Sequence, residues 1–249
     1  MKWLRKTYVA IVMAFLYAPI LVLIVFSFNK SKSRGAWTGF TLSWYQRLFT
    51  NEAIIQSLIN TLVVALISSV LATVIGTLAA IGIRNMGRLS RSVVMNVTYM
   101  PVINPEIVTG VSLMLLFVFV KNAGVQLEFG FVTLVLAHIT FNIPYVILNV
   151  MPKLRQMDVS VYEAAQDLGC SPMQAFFKVV IPEIMPGILA GFLMAVTYSL
   201  DDFIISYFVT GPTSQTLPIT IFSMTRRKVS PEINALSTII FVVVLIVLL

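Results

Sequence analysis

Three carboxylates stand in stretches of this chain that are otherwise almost free of charge: Glu106, in Asn104-Pro105-Glu106, and the pair in Tyr198-Ser199-Leu200-Asp201-Asp202. A carboxylate in an apolar surrounding is costly unless it faces a cavity or a cation. Lys and Arg are absent from the middle of these apolar stretches, so the acids suit recognition of a cation and leave an anion without counter-charge. Ser199 adds a hydroxyl to the same stretch. Nearer the start, Ser43-Trp44-Tyr45-Gln46 resembles a capped helix start, with Trp44, Tyr45, Leu48 and Phe49 on one face. Such rings form belts at membrane surfaces; Trp44 or Tyr45 could also offer a cation–π surface to an organic cation. The single histidine, His138, lies in an apolar run, where an interhelical hydrogen bond is its expected task and a proton relay the alternative. Cys170, the one cysteine, has no disulfide partner and no metal-ligand spacing. The sequence carries no glycine-rich phosphate loop, catalytic triad or metal cluster, so any nucleotide hydrolysis belongs to another chain.

The elements that must position these residues are membrane spans. Of 249 residues, 58% are hydrophobic and 11% charged, which excludes a soluble enzyme. A span needs about 20 apolar residues, and six runs qualify: 8–28, 61–83, 93–120, 131–150, 184–208 and 233 to the end. The first follows Lys2, Arg5 and Lys6 but outruns a signal-peptide core, and Ser27-Phe28-Asn29 offers no small-x-small cleavage site. A retained anchor is expected. The last run reaches Leu249 with no polar tail, the pattern of a chain that continues. Pro101 and Pro105 interrupt the third run and free carbonyls that are tolerated at depth only in a cavity or inside protein. At about 1.5 Å per residue, Glu106 and Asp201 each stand roughly 20 Å along their runs, at similar height in the outer half of the membrane. The expected domains are residues 1–56, an anchor helix with an outer aromatic loop, and residues 57–249, the main membrane body.

Six spans put both ends on one side. With the N-terminus inside, the inner segments hold Lys2, Arg5, Lys6, Arg84, Arg88, Arg91, Lys153, Arg155 and Lys178. The outer segments hold Lys30, Lys32, Arg34, Arg47, Lys121, Arg226, Arg227 and Lys228, a near tie. The compact clusters at the N-terminus and around Arg88 sit closest to span ends and favour a cytoplasmic N-terminus. The net charge of +7 then suits membrane lipid and not nucleic acid.

A polar helix–turn–helix occupies about residues 151–183, between the fourth and fifth runs. Val161, Ala164, Ala165 and Leu168 recur at helical spacing as one small apolar face. Gly169 can take the left-handed conformation that ends a helix. Ser171-Pro172 restarts one, with a serine N-cap, proline at the first helical position and Gln174 completing a capping box. A short helix faced with alanine can sit deep in another protein's groove, because small side chains allow close approach.

Glu163-Ala164-Ala165, then Gly169, then Ile181-Pro182 resemble the EAA motif of permease subunits in ATP-binding-cassette importers, with isoleucine where the family usually has leucine. The resemblance covers nearly the whole chain. Asn104-Pro105-Glu106-Ile107-Val108, Ser199-Leu200-Asp201-Asp202, Phe208-Val209-Thr210-Gly211-Pro212 and Ser230-Pro231-Glu232-Ile233-Asn234-Ala235-Leu236 are similar to spermidine/putrescine permeases of the PotC type. It implies an all-α integral membrane protein with six transmembrane helices and the type I ABC importer permease fold, in a bacterial inner membrane. It implies a non-catalytic subunit that binds no cofactor itself. The implied partners are a second, PotB-like permease, a PotA-like ATPase homodimer carrying ATP-Mg, and an external PotD-like polyamine-binding protein. Glu163, Ala164, Ala165, Asp167, Gly169 and Pro182 would couple to the ATPase through a cytoplasmic helix. Trp44, Tyr45, Glu106, Ser199, Asp201 and Asp202 would line the substrate pathway. The alternative cargo is another solute, such as a phosphonate or iron. The alternative mechanism is a proton-coupled secondary transporter, against which six spans without an inverted repeat argue.

Overall fold

The computed structural model describes residues 2–31, 36–227 and 231–248. Lys32, Arg34, Lys228, Ser230 and Leu249, which entered the charge count, the resemblance and the chain-end expectation, lie outside the described residues. The described residues are helical apart from loops and one isolated bridge between Asn29 and Phe40. Two compact units divide the chain: residues 1–56 with 220–249, and residues 57–219.

In the first unit, α1 (Lys2–Ser27) packs against the last helix, α12 (Pro231–Leu248), which also touches α2 (Ser43–Thr50). Tyr17 meets Phe241 edge-on at 6.5 Å. The apolar side chains of α1 otherwise point outward, Trp3 and Phe15 among them, as on a helix solvated by lipid. The long helix α3 (Glu52–Arg84) begins in this unit and continues into the second.

The second unit continues with α4 (Arg88–Ile103), α5 (Glu106–Asn122), α6 (Phe131–Gln156), α7 (Val159–Asp167), α8 (Pro172–Ala175), a π turn (Phe176–Val180), α9 (Ile181–Asp201) and α10 (Ile204–Val209). From there α11 (Leu217–Arg227) leads out of it. At the centre stands α6, against which α9 makes its main packing. The approach is close because the facing residues are glycines. A Cβ on Gly191 would lie 3.1 Å from Val146 Cα, and one on Gly76 of α3 would lie 2.7 Å from Val146 Cβ. Val146 is thus clamped between α3 and α9, the small-residue packing that joins helices where lipid supplies no hydrophobic drive. One core gathers around Val150, Leu154 and Ile184, and another around Leu134, Phe141 and Ile205.

Among the described residues, four helical stretches are long and apolar enough to cross a membrane: Trp3–Ser27, Glu52–Arg84, Phe131–Gln156 and Pro172–Asp201. The last expected run lies in α12, which is apolar over Pro231–Val243 and continues to Leu248. The remaining one, the third, differs in form: it is two helices, α4 and α5, bent by 105° at their junction. The cause is local. Asn104, preceding a proline, is pushed to an extended conformation (φ −69°, ψ 144°), and Pro105 is extended too (φ −56°, ψ 134°). A height counted along one straight rod therefore does not apply to Glu106. The fifth expected run, 184–208, also breaks: α9 stops at Asp201, Asp202 is extended (φ −64°, ψ 118°), and α10 follows as a separate short helix.

Candidate functional site: two acids at a helix break and a capped outer helix

The break after Asp201 treats its two acids in opposite ways. Asp202 is 8% exposed and folds back to cap α10. Its Oδ1 accepts from the Ile205 amide at 3.1 Å, and its Oδ2 from the Ser206 amide and hydroxyl, both at 2.7 Å. A carboxylate at a helix N-terminus also gains from the helix dipole. His138 of α6 faces it, with Nε2 3.4 Å from Oδ2. The same ring bonds Ser206 Oγ at 3.0 Å and Ser199 Oγ at 2.6 Å, so His138 makes the interhelical hydrogen bonds expected of it. Ser199 and Asp202 lie on the buried side of the break.

Asp201 lies on the other side and is exposed. Adjacent helical residues diverge by about 100°, so the pair could not share one direction. One turn earlier on the same face of α9 stands Tyr198. Its ring centroid is 4.3 Å from that of Tyr145 on α6, and Phe141 meets the two edge-on at 6.1 and 5.2 Å. Glu106 opens α5 and is exposed, in the first turn where a negative charge is favoured. It is an electrostatic neighbour of Tyr145. The structure thus groups Glu106, Tyr145, Tyr198 and Asp201, two carboxylates with an aromatic pair. Neither tyrosine was among the expected pathway residues; the only local hint is the i, i+4 spacing of Phe141 and Tyr145.

Trp44 and Tyr45 belong to the first unit. The indole is 4% exposed and donates from Nε1 to the Asn29 carbonyl at 2.7 Å. The Arg47 guanidinium sits 5.2 Å from the indole centre, so this chain's own cation already covers one ring face. Tyr45 shares a 2.7 Å hydrogen bond with Ser27 Oγ, and its ring lies 5.3 Å from that of Phe28. Both residues tie α2 to the end of α1.

The polar loop contains helix α7 with complete caps at each end. Asp158 accepts from the Ser160 amide at 3.0 Å, and this bond holds its carboxyl below the usual carboxylate range. At the other end Gly169 adopts φ 88°. Its amide bonds the Gln166 carbonyl at 2.9 Å and that of Cys170 bonds the Ala165 carbonyl at 3.1 Å, the two bonds of a Schellman motif. Ser171 and Gln174 then exchange the capping-box bonds. The expected single apolar face is in fact divided. Tyr162 packs against the core around Val150, takes a hydrogen bond from Gln166 at 3.1 Å, and has half-buried Ala165 on its side of the helix. Val161, Glu163, Ala164, Asp167 and Leu168 point outward, Leu168 with 87% of its surface exposed. Pro182, exposed near the start of α9, lacks an amide and would press on the carbonyl one turn earlier. The π turn immediately before it loosens the backbone where that strain falls.

Residues 72–249 match the family described as binding-protein-dependent transport system inner membrane component. The chain is 42% identical over 229 residues to the putrescine transport system permease protein PotI of Escherichia coli (strain K12), covering 91% of this chain and 81% of that one. It is 39% identical over 248 residues to the spermidine/putrescine transport system permease protein PotC of the same strain, covering 100% and 92%. Among solved structures, a bacterial ABC transporter involved in the import of the acidic polysaccharide alginate superposes with a TM-score of 0.75 at 17% identity, over 98% of this chain and 92% of that one. That likeness carries the fold alone.

Proposed function

Because the chain belongs to the family of inner-membrane components of binding-protein-dependent transport systems, beside the PotC and PotI permeases, we propose that it conducts polyamines as one permease of an ATP-driven importer. The observation that carries the cargo is the grouping of exposed Glu106 and Asp201 with the Tyr145–Tyr198 pair. A flexible di- or tri-cation needs spaced negative charges and aromatic surface to replace its hydration. Binding along such a route must stay modest, since a site that grips the ion will not release it. Asp202 and Ser199 support the route from behind; Trp44 and Tyr45 shape the outer loop of the first unit.

The partners in this reading are a second permease forming the other wall, an ATPase dimer that binds ATP-Mg, and an external polyamine-binding protein. In this reading the N-terminus is cytoplasmic. The outward face of α7, with Glu163, Ala164, Asp167 and Gly169 exposed and its ends already capped, suits insertion into a cleft of the ATPase. ATP-driven closure of that dimer moves the loop and shifts the permease among a few conformers, with the binding protein biasing the other end.

Uptake of labelled spermidine and putrescine by the whole complex in proteoliposomes tests the cargo. Asp201→Asn and Glu106→Gln should each lower uptake several-fold while the complex still assembles. Full uptake in both variants removes these carboxylates from the route.

A further inference from the structure

We infer that His138 is a positioning residue for transport: a buried hydrogen-bond chain through its ring joins four helices at the break and fixes the direction of Asp201. The uptake readout rests on the proposed cation route; the geometry does not. Proton bookkeeping sets the donors at the Asp202 end of the chain. Ser206 Oγ gives its single proton to Asp202 Oδ2, so the 3.0 Å contact between His138 Nε2 and Ser206 Oγ must be filled by a proton on Nε2. The other ring nitrogen, Nδ1, shares a hydrogen bond with Ser199 Oγ at 2.6 Å. The Ser199 oxygen also lies 3.3 Å from Ser68 Oγ of α3, which donates to the Ala65 carbonyl at the same distance. The chain therefore links Ser68 on α3 through Ser199 on α9 and His138 on α6 to Ser206 on α10 and Asp202. Every member is buried.

A buried chain of this kind is satisfied in one arrangement, and a broken link strands polar groups in an apolar surrounding. The two residues of the 198–202 stretch that it grips, Ser199 and Asp202, straddle Asp201 and lie three apart on one side of the helix end. Holding them inward turns Leu200 and Asp201 outward, where both are exposed. His138 is the only link between the Ser199 side and the Ser206 side of the chain among the described bonds, so the ring sets the break without touching cargo.

The test uses the assembled complex in two arms. In a Cys170→Ser background, Asp201→Cys is labelled with a charged, membrane-impermeant thiol reagent. Adding His138→Ala should change the labelling rate several-fold, and His138→Gln, which keeps a donor toward Ser206, should restore part of it. In the uptake arm, His138→Ala should raise the apparent KM for spermidine while nucleotide turnover at saturation is retained. Combined with Asp201→Asn it should add no further loss, as expected for residues acting through one another. Unchanged labelling in an assembled complex, or uptake losses that multiply in the double variant, overturns the inference. If His138→Ala does not assemble, Ser206→Ala breaks the same chain with little change of volume and is read in the same way. Full uptake by Asp201→Asn alone would sink the cation route, while the labelling arm still decides the role of His138.

Discussion

The break after Asp201 interrupts a membrane-length apolar run and the α7 loop joins two such runs; both set polar residues there, and they settle them in opposite ways. At the break, Ser199, His138, Ser206 and Asp202 are all buried and bonded to one another across helices. In α7 no residue is fully buried, and each end is closed locally by Asp158, Gly169 and Ser171. A cross-helix network makes shape depend on every member, whereas a locally capped helix keeps its form by itself and leaves its outer face for another surface. Asp201 sits beside the first region but is exposed like the second. Burial, more than charge, separates residues that hold the permease together from residues that meet something else.

The sharpest way to break this comparison is to exchange the neighbours. Asp202→Ala removes the acceptor of three buried donors and strands them, at about 1–3 kcal/mol for an unsatisfied buried group. It should sharply lower the unfolding temperature of the detergent-solubilised complex. Asp201→Ala should shift stability by no more than about 0.5 kcal/mol, as for an ordinary exposed site, and should act on uptake alone. Equal destabilisation by the two substitutions would show that exposure does not divide them.

Gly169 comes next in size. Any Cβ there must adopt φ near 88°, and the left-handed conformation costs roughly 1–2 kcal/mol for a residue other than glycine. Gly169→Ala should loosen the end of α7 and reduce transport per ATP hydrolysed, with the thermal stability of the spans retained. Glu163→Ala should produce the same uncoupling without strain, because the side chain is exposed and no cap depends on it. Measuring uptake and ATPase rate on the same vesicles separates the two: normal coupling in Glu163→Ala would take the helix's outer face out of force transmission.

What was legible in advance follows the range of the forces involved. The runs of α1, α3 and α6, the interruption at Pro105, the left-handed Gly169 and the Ser171 box all follow from rules that act within one or two helical turns. The 100° divergence of Asp201 and Asp202 was legible too, but not which one would turn inward, since that depends on where His138 sits across the α6–α9 contact. The Tyr145–Tyr198 pair joins distant parts of the chain through the same contact, and the spacing of Phe141 and Tyr145 gives no sign of Tyr198. The size of the α4–α5 bend went unread because two successive extended residues reorient a helix far more than one proline kink does. Trp44 was legible as an anchor or a ligand surface, and only its bond to Asn29 and the Arg47 cover show how its surface is used in the chain.

The smallest expected effect probes whether α7 is as self-contained as its caps imply. The Ser160 amide bond lowers the pKa of Asp158, so the folded carboxyl releases its proton more readily than the unfolded one. The sign follows: the cap's contribution is fully present above the ordinary carboxylate pKa of about 4 and is lost as pH falls through the lower, folded value. Acidifying the solubilised complex below about pH 4 should therefore speed hydrogen exchange at the Ser160 amide and the first turn of α7. Asp158→Asn keeps a good capping acceptor that does not titrate, and it should flatten this pH response while leaving exchange at neutral pH nearly unchanged. If first-turn exchange in the Asp158→Asn variant still rises with acid, the pH sensitivity comes from the surface on which Tyr162 rests, and α7 is not independent of the core it sits on.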